Sequence, residues 1–218
     1  DIAGASLLAG DMDMYAFSLK TEAARQLRDA PGINIYQAPA TMISLILNPA
    51  PAPEGEINPF SIKDVRFALQ YAVDRGFIAQ EIYKGLAEPM LTHVGPFDFD
   101  YLTVYDQTKE LDIAYDPEFA RQLVSEAMTD AGAELTDDVW HYNGVPILLK
   151  FIVRTEDERK DVGDLVLAAL RTLGFEVAPN YQQFAPAILT VYGSDPQLFQ
   201  WHLYTEGWGR GAAERYDF

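Results

Sequence analysis

Apolar residues recur along this chain in two rhythms, and the changes of rhythm predict an interleaved series of helices and strands. In the stretch SIKDVRFALQYAV, Val65, Leu69, Ala72 and Val73 fall at helical spacing, so one face of a helix is built for a core. Pro59-Phe60 closes the extended run ahead of it, and Ser61 is placed to cap it. Asp64 sits at the third helical position, an acid near the positive end. Further turns run through Ile78 and Ile82, and Gly85 ends them in the left-handed conformation. Upstream, a helix ends at Gly10, a strand is predicted from Met12 to Phe17, and a polar helix spans Thr21 to Asp29. Two apolar strands follow, Ile33 to Ala38 and Met42 to Leu47. An irregular segment rich in aromatics and acids is expected from Pro89 to Ala114. Asp116 then caps a helix with Pro117 at its first position, where a missing N–H does no harm. Asn143-Gly144 marks a tight turn leading into a strand from Ile147 to Val153. The helix from Val162 to Leu173 stops at Gly174, and Phe199 to Tyr204 alternates as a strand. Strands and helices alternate, which implies an α/β lobe with a mixed sheet flanked by helices.

Composition narrows the class. The 218 residues are 49% hydrophobic and 12% aromatic, enough for one sizeable core. No apolar run reaches the length needed to cross a bilayer. Zero cysteines exclude disulfides and cysteine-based metal or redox sites. The 33 acids outnumber 16 bases and give a formal charge of −17. Between Asp98 and Asp138 twelve acids face only Lys109 and Arg121. Nucleic acid and anionic membrane are thereby disfavoured as partners, because both are bound by neutralising phosphates. The acidic stretch reads as a solvated, solubilising face.

Enzyme signatures are missing from the sequence. It has no Gly-x-Ser-x-Gly elbow, no His-Glu-x-x-His and no phosphate-binding loop. His93, His141 and His202 stand apart without metal-ligand spacing, so neither a metal nor a cofactor is expected. The acidic run from Glu156 to Asp161 is explained by its place at a helix start. Arg66, Asp74 and Arg75 read as helix-surface charges and ion pairs. The end of the chain offers a binding surface instead. Trp208 and Arg210 follow a strand on a glycine-rich backbone through Gly207, Gly209 and Gly211, and aromatic plus cationic groups there suit a ligand pocket.

One block carries a family resemblance. NPFSIKDVRFALQYAVDRGFIAQEIYKGLAEP, residues 58–89, is similar to the peptide and nickel type of extracellular solute-binding protein, solute-binding family 5 of ABC importers. ASLLAGDMDMY, MISLILN, YDPEFARQLVSEA, LVLAALRTLGFEV and Gly207-Trp208 resemble further family segments, in order along nearly the whole chain. The resemblance implies a type II periplasmic-binding-protein lobe and a receptor on the periplasmic or extracellular side of the membrane. Its partners would be a peptide or small-molecule ligand and the membrane permease subunits, with no chemistry to perform. The chain opens on Asp1 without a basic start or apolar leader, so residues 1–218 are expected to be the second lobe of a longer, two-lobed receptor.

By the same resemblance the loop after Gly-Trp lines the cleft. Phe184 matches an aromatic at a helix start, Thr205 a polar position three before Trp208, and Gly209 and Arg210 follow the tryptophan; Tyr15 is added only from its place at the end of the predicted early strand, as a further expected cleft residue. Relatives that bind peptides carry an aspartate three residues after the tryptophan for the α-amino group. Gly211 stands there, which shifts the expected preference towards a neutral or anionic solute. Two other readings stay open: the same lobe as the sensor of a transcription regulator, or a hydrolase of unrecognised type.

Overall fold

The computed structural model describes residues 2–16, 19–37, 41–96, 98, 100–111 and 113–209. Two helices open it, α1 (Ile2–Ala9) and α2 (Thr21–Leu27), followed by strand β1 (Thr41–Leu47). A single 3₁₀ turn leads into α3 (Lys63–Ala72), and α4 (Arg75–Phe77) runs on as a wider turn over Ile78–Ile82. Next come α5 (Tyr101–Glu110) and α6 (Pro117–Asp130). The short strands β2 (Glu134–Thr136), β3 (Val139–Tyr142) and β4 (Val145–Pro146) form a small antiparallel sheet. The chain finishes with β5 (Leu148–Arg154), α7 (Arg159–Thr172), β6 (Glu176–Gln182), α8 (Phe184–Gly193) and β7 (Leu203–Gly209).

The main sheet has the order β1-β7-β5-β6. β5 is parallel to both β6 and β7, while β1 runs antiparallel to β7, so the sheet is mixed as expected. Successive side chains of β5 feed opposite faces. Leu149, Phe151 and Val153 join a large core with α3, α6 and α7 through Val65, Leu69, Val124, Met128, Val166 and Leu170. Ile152 joins a small second cluster with Tyr204, Trp201 and the α8 residues Ala187 and Val191. The two crossover helices therefore lie on opposite faces. α7 sits close on β5 because Gly163 has no side chain: a Cβ there would strike Val153 Cγ1.

Several elements match their sequence signals. Asp116 caps α6 by accepting from Phe119 N at 2.9 Å, with Pro117 in the first turn. Asn143 and Gly144 take φ of 51° and 76°, the double left-handed turn that joins β3 to β4. Other elements differ. No strand forms over 12–16 or 33–37, although both are apolar runs: a run becomes a strand only when its backbone pairs with another; Phe17 and Ala38 fall outside the described residues. The segment expected to be irregular contains α5. The expected cap Ser61 lies inside the 3₁₀ turn, which Asn58 caps by accepting from Phe60 N at 3.1 Å, and α3 itself starts after Ile62 without a side-chain cap. Arg66 bonds to the Phe60 carbonyl, Arg75 to the Gln70 side chain at 2.8 Å and the Ile113 carbonyl at 3.4 Å, and Asp74 caps Phe77 N, so hydrogen bonds within the scaffold hold these charges. The last strand starts later and runs further than its pattern suggested. Phe199 takes a left-handed φ of 46°, and strand pairing begins at Leu203 and continues through Gly209.

Candidate functional site at the carboxyl edge of the sheet

Because β5, β6 and β7 are parallel, their carboxyl ends at Arg154, Gln182 and Gly209 lie along one edge with the amino end of β1. From that edge β5 leads to α7 on one face and β6 leads to α8 on the other. Where neighbouring strands send their connections to opposite faces, a crevice opens outside the carboxyl ends, and this is where α/β sheets bind ligands.

Arg154 organises the crevice. It is 5% exposed and closes β5. Its Nε donates to Glu156 Oε2 at 2.8 Å and its Nη1 to the Tyr204 hydroxyl at 3.0 Å, while the guanidinium carbon sits 4.7 Å from the centre of the Phe184 ring. Glu156 also accepts from the Phe184 backbone N–H, tying the start of α8 to the end of β5. Burial opposes ionisation of both groups, but their mutual hydrogen bonds win: Arg154 is held more basic and Glu156 more acidic than usual. Beside this pair, Arg159 grips Asp157 through a fork of 2.8 and 2.5 Å, and that bond keeps the carboxyl low against the effect of burial. The Arg159 guanidinium crosses β7 at Gly207, where a Cβ would come within 2.7 Å of Nη1. Glycine at that position is what lets the arginine lie flat on the strand. On the α8 side, Glu206 accepts from the Tyr192 hydroxyl at 2.6 Å and the Gly207 N–H at 2.7 Å. Burial first, and then that carboxylate, push the Tyr192 hydroxyl pKa upward.

The predicted site residues fall in different places. Phe184 is the first residue of α8 and 55% exposed, so it is not core. Thr205 is fully buried, and its hydroxyl accepts from Arg154 N at 2.9 Å, which sets the arginine from below. Trp208 and Gly209 lie within β7, opposite Met42 and Thr41, rather than on a loop after a strand; the tryptophan is half-buried and the glycine exposed. Tyr15 is 36% exposed in irregular backbone between α1 and α2, not at a strand end. Arg210 and Gly211 lie outside the described residues. The structure thus joins Phe184 and Thr205 through Arg154.

Sequence reasoning missed Arg154, Glu156, Tyr192, Tyr204 and Glu206. A signal for two of them existed: Tyr204 and Glu206 alternate with Trp208, as one face of a strand running through to Gly209 must. The acidic run also divides its labour. Asp157 accepts from Arg159 N at 3.0 Å at the start of α7, as the dipole account requires, but Glu158 accepts from Thr21 N at 2.5 Å and ties down α2. Among the described residues no group of three potential ligands could hold a metal ion. A cavity of about 450 Å³ lies elsewhere, between the α3–α4 junction and α5, lined by Arg75, Met90, Tyr101, Tyr105 and Lys109; it shares no residue with the crevice.

Comparison with known proteins places this geometry. The sequence profile of bacterial extracellular solute-binding proteins, family 5 Middle, matches residues 1–218. Heme-binding protein A of Haemophilus influenzae is 27% identical over 183 residues, covering 83% of this chain and 29% of its own length. An oligopeptide-binding protein of Bacillus subtilis, solved with a nonapeptide, matches with a TM-score of 0.65 and 21% identity over 95% of this chain and 38% of its own. A periplasmic oligopeptide-binding protein of Thermotoga maritima, solved with mannohexaose, gives 0.72 and 19% identity over 95% and 38%. The fold is thus that of type II periplasmic binding proteins, and this chain spans well under half the length of the relatives it matches.

Proposed function

We infer that this chain, which belongs to the bacterial extracellular solute-binding proteins of family 5, is one lobe of a two-lobed receptor that holds a small solute against the carboxyl edge of its sheet. Residues 1–218 form the second lobe, and the remainder of the protein supplies the first. The receptor works outside the cytoplasmic membrane as the binding component of an ABC importer. It closes on its solute and presents the closed form to the permease subunits. It acts by binding alone, without catalysis or a resident cofactor. The nonapeptide and mannohexaose complexes of the similar proteins support a solute of peptide or oligosaccharide size.

Phe184 carries this reading. Its ring is fixed on a buried guanidinium yet 55% open to solvent, a rigid apolar platform over a polar frame. Trp208 offers a second ring with one N–H donor, Gly209 leaves the backbone open to close approach, and Thr205 acts from below through Arg154. Tyr15 and Arg210 supply further contacts to the solute. In the full-length receptor, Phe184→Ala and Trp208→Ala should each weaken binding of the co-purified solute by more than about tenfold, above ~1.4 kcal/mol. The thermal midpoint should change little. Unchanged affinity in both variants would remove the site from this edge.

A further inference from the structure

A second concave surface lies away from the crevice, and three parts of the chain build its wall. α5 turns one stripe towards it: Tyr101, Tyr105 and Lys109 stand four apart and all line the same cavity of about 450 Å³. The segment ahead of α5 supplies Met90. A Cβ at Gly95 would come within 2.8 Å of Met90 Cε, so glycine there lets this segment fold back closely on itself. The α3–α4 junction supplies Arg75, whose guanidinium is held by two hydrogen bonds, Nη1 to Gln70 Oε1 at 2.8 Å and Nη2 to the Ile113 carbonyl at 3.4 Å. A cavity of this volume is in the range of small-molecule pockets.

Its charges and rings define a ligand class. Among the described lining residues, Arg75 and Lys109 are the cations and Asp74 the acid. The Asp74 carboxylate is engaged as the cap of α4, accepting from Phe77 N at 2.8 Å. Burial lowers the Arg75 pKa against the nearby Asp74 charge, so this cation is partly out of water, and an anion beside it restores some of the lost solvation. The guanidinium offers a planar fork that matches a carboxylate, and Lys109 adds a mobile second charge. Tyr101 and Tyr105 meet edge to face at 5.5 Å, and the Met90 thioether is a polarisable neighbour for a flat ring. Acids elsewhere in the chain oppose an anion only at long range, which physiological salt screens beyond about 8 Å.

We propose that this cavity is a second binding site, for a small aromatic carboxylate. The ring lies among Tyr101, Tyr105 and Met90, and the carboxylate pairs with Arg75 and Lys109. A bound ligand thus bridges α5 and the α3–α4 junction. The site shares no residue with the crevice and needs no particular solute there.

The test is calorimetric titration of the full-length receptor, still carrying its co-purified solute, with naphthoate and with neutral naphthamide of nearly the same shape. Naphthoate should bind at least about tenfold more tightly than naphthamide. Lys109→Gln, a change at an exposed position of α5, should remove most of that preference by weakening naphthoate alone, and Arg75→Gln should do the same. Tyr105→Ala should weaken both probes. Equal binding of the two probes by the wild type overturns the proposal, as does binding of neither. A preference that survives both charge variants overturns it too, and so does binding untouched by Tyr105→Ala. Naphthoate that binds only by displacing the co-purified solute overturns it by putting both in one site. Arg75 also holds Gln70 and Ile113, so its variant can fail to fold; the wild-type comparison and Lys109→Gln decide without it. Failure here leaves the carboxyl-edge reading standing, because that reading is tested at Phe184 and Trp208.

Discussion

Asn48 and Asn58 are 0% and 1% exposed, and the structure finds partners for both amides. Asn48 Nδ2 donates to the carbonyls of Pro196 and Trp201, and its Oδ1 accepts from Ala50 N. Asn58 Nδ2 donates to the carbonyls of Asn48 and Ala50, and its Oδ1 accepts from Phe60 N. The end of β1, the entry to α3 and the turn before β7 are thereby fastened at one point. His202 nearby is a buried base in a similar role. Its Nδ1 accepts from Lys150 N at 3.1 Å, and burial, aided by the Lys150 charge, lowers its pKa to about 4. The folded value lies below the unfolded one, near 6.5. The neutral ring therefore contributes stability that is complete above pH ~6.5 and lost as pH falls towards 4, on the order of 3 kcal/mol. Urea midpoints measured across that window should fall less steeply for His202→Gln than for the wild type. Equal slopes would show that this ring is not the group responsible. Residue roles of this kind were hardly legible in sequence. Arg154 and Tyr204 stand 50 positions apart, and only the strand order brings them together.

Elements were easier to read where one helix face alone decides. α3 buries Val65, Ala68, Leu69 and Ala72 against α6, whose facing residues include Ala120, Val124 and Met128. That is the helical stripe its spacing announces. Leu69 is 6% exposed in this contact, so Leu69→Ala should cost about 2–5 kcal/mol through lost burial and the cavity left behind. A urea midpoint shift worth well under ~1 kcal/mol would show the contact to be loose. The hairpin at Asn143-Gly144 was equally plain, because two successive left-handed residues are rare outside that turn. Strand candidates fared worse. An apolar run becomes a strand only if another strand lies beside it, and sequence does not show the neighbour. For the same reason β7 was read as ending where its pairing with β1 is only beginning. Trp208 was placed on a loop, and its position within β7, opposite Met42, changes which neighbours it has.

At the scale of the whole molecule, α8 keeps large apolar side chains open to solvent. Phe184, Leu189 and Tyr192 on α8 are 55%, 72% and 52% exposed, and the core on that face is much the smaller of the two. A lobe that closes against another has reason to keep such a face open. The family segments legible in the sequence belong to the scaffold: β1 and β7 lie to one side of β5 in the sheet's order, and α3, α6 and α7 pack the larger core with it. The crevice is assembled from strand ends and the start of α8, whose charges and rings meet only in the folded chain. The central claim is that solute binds at the carboxyl edge, between Phe184 and Trp208. The most direct measurement is a crystal structure of the full-length receptor purified with the solute it carries. The solute should touch the Phe184 and Trp208 rings between two lobes, with Arg154 and Glu156 paired beneath. Solute seated instead in the cavity beside Tyr101 and Tyr105, with the carboxyl edge turned away from it, would contradict the account.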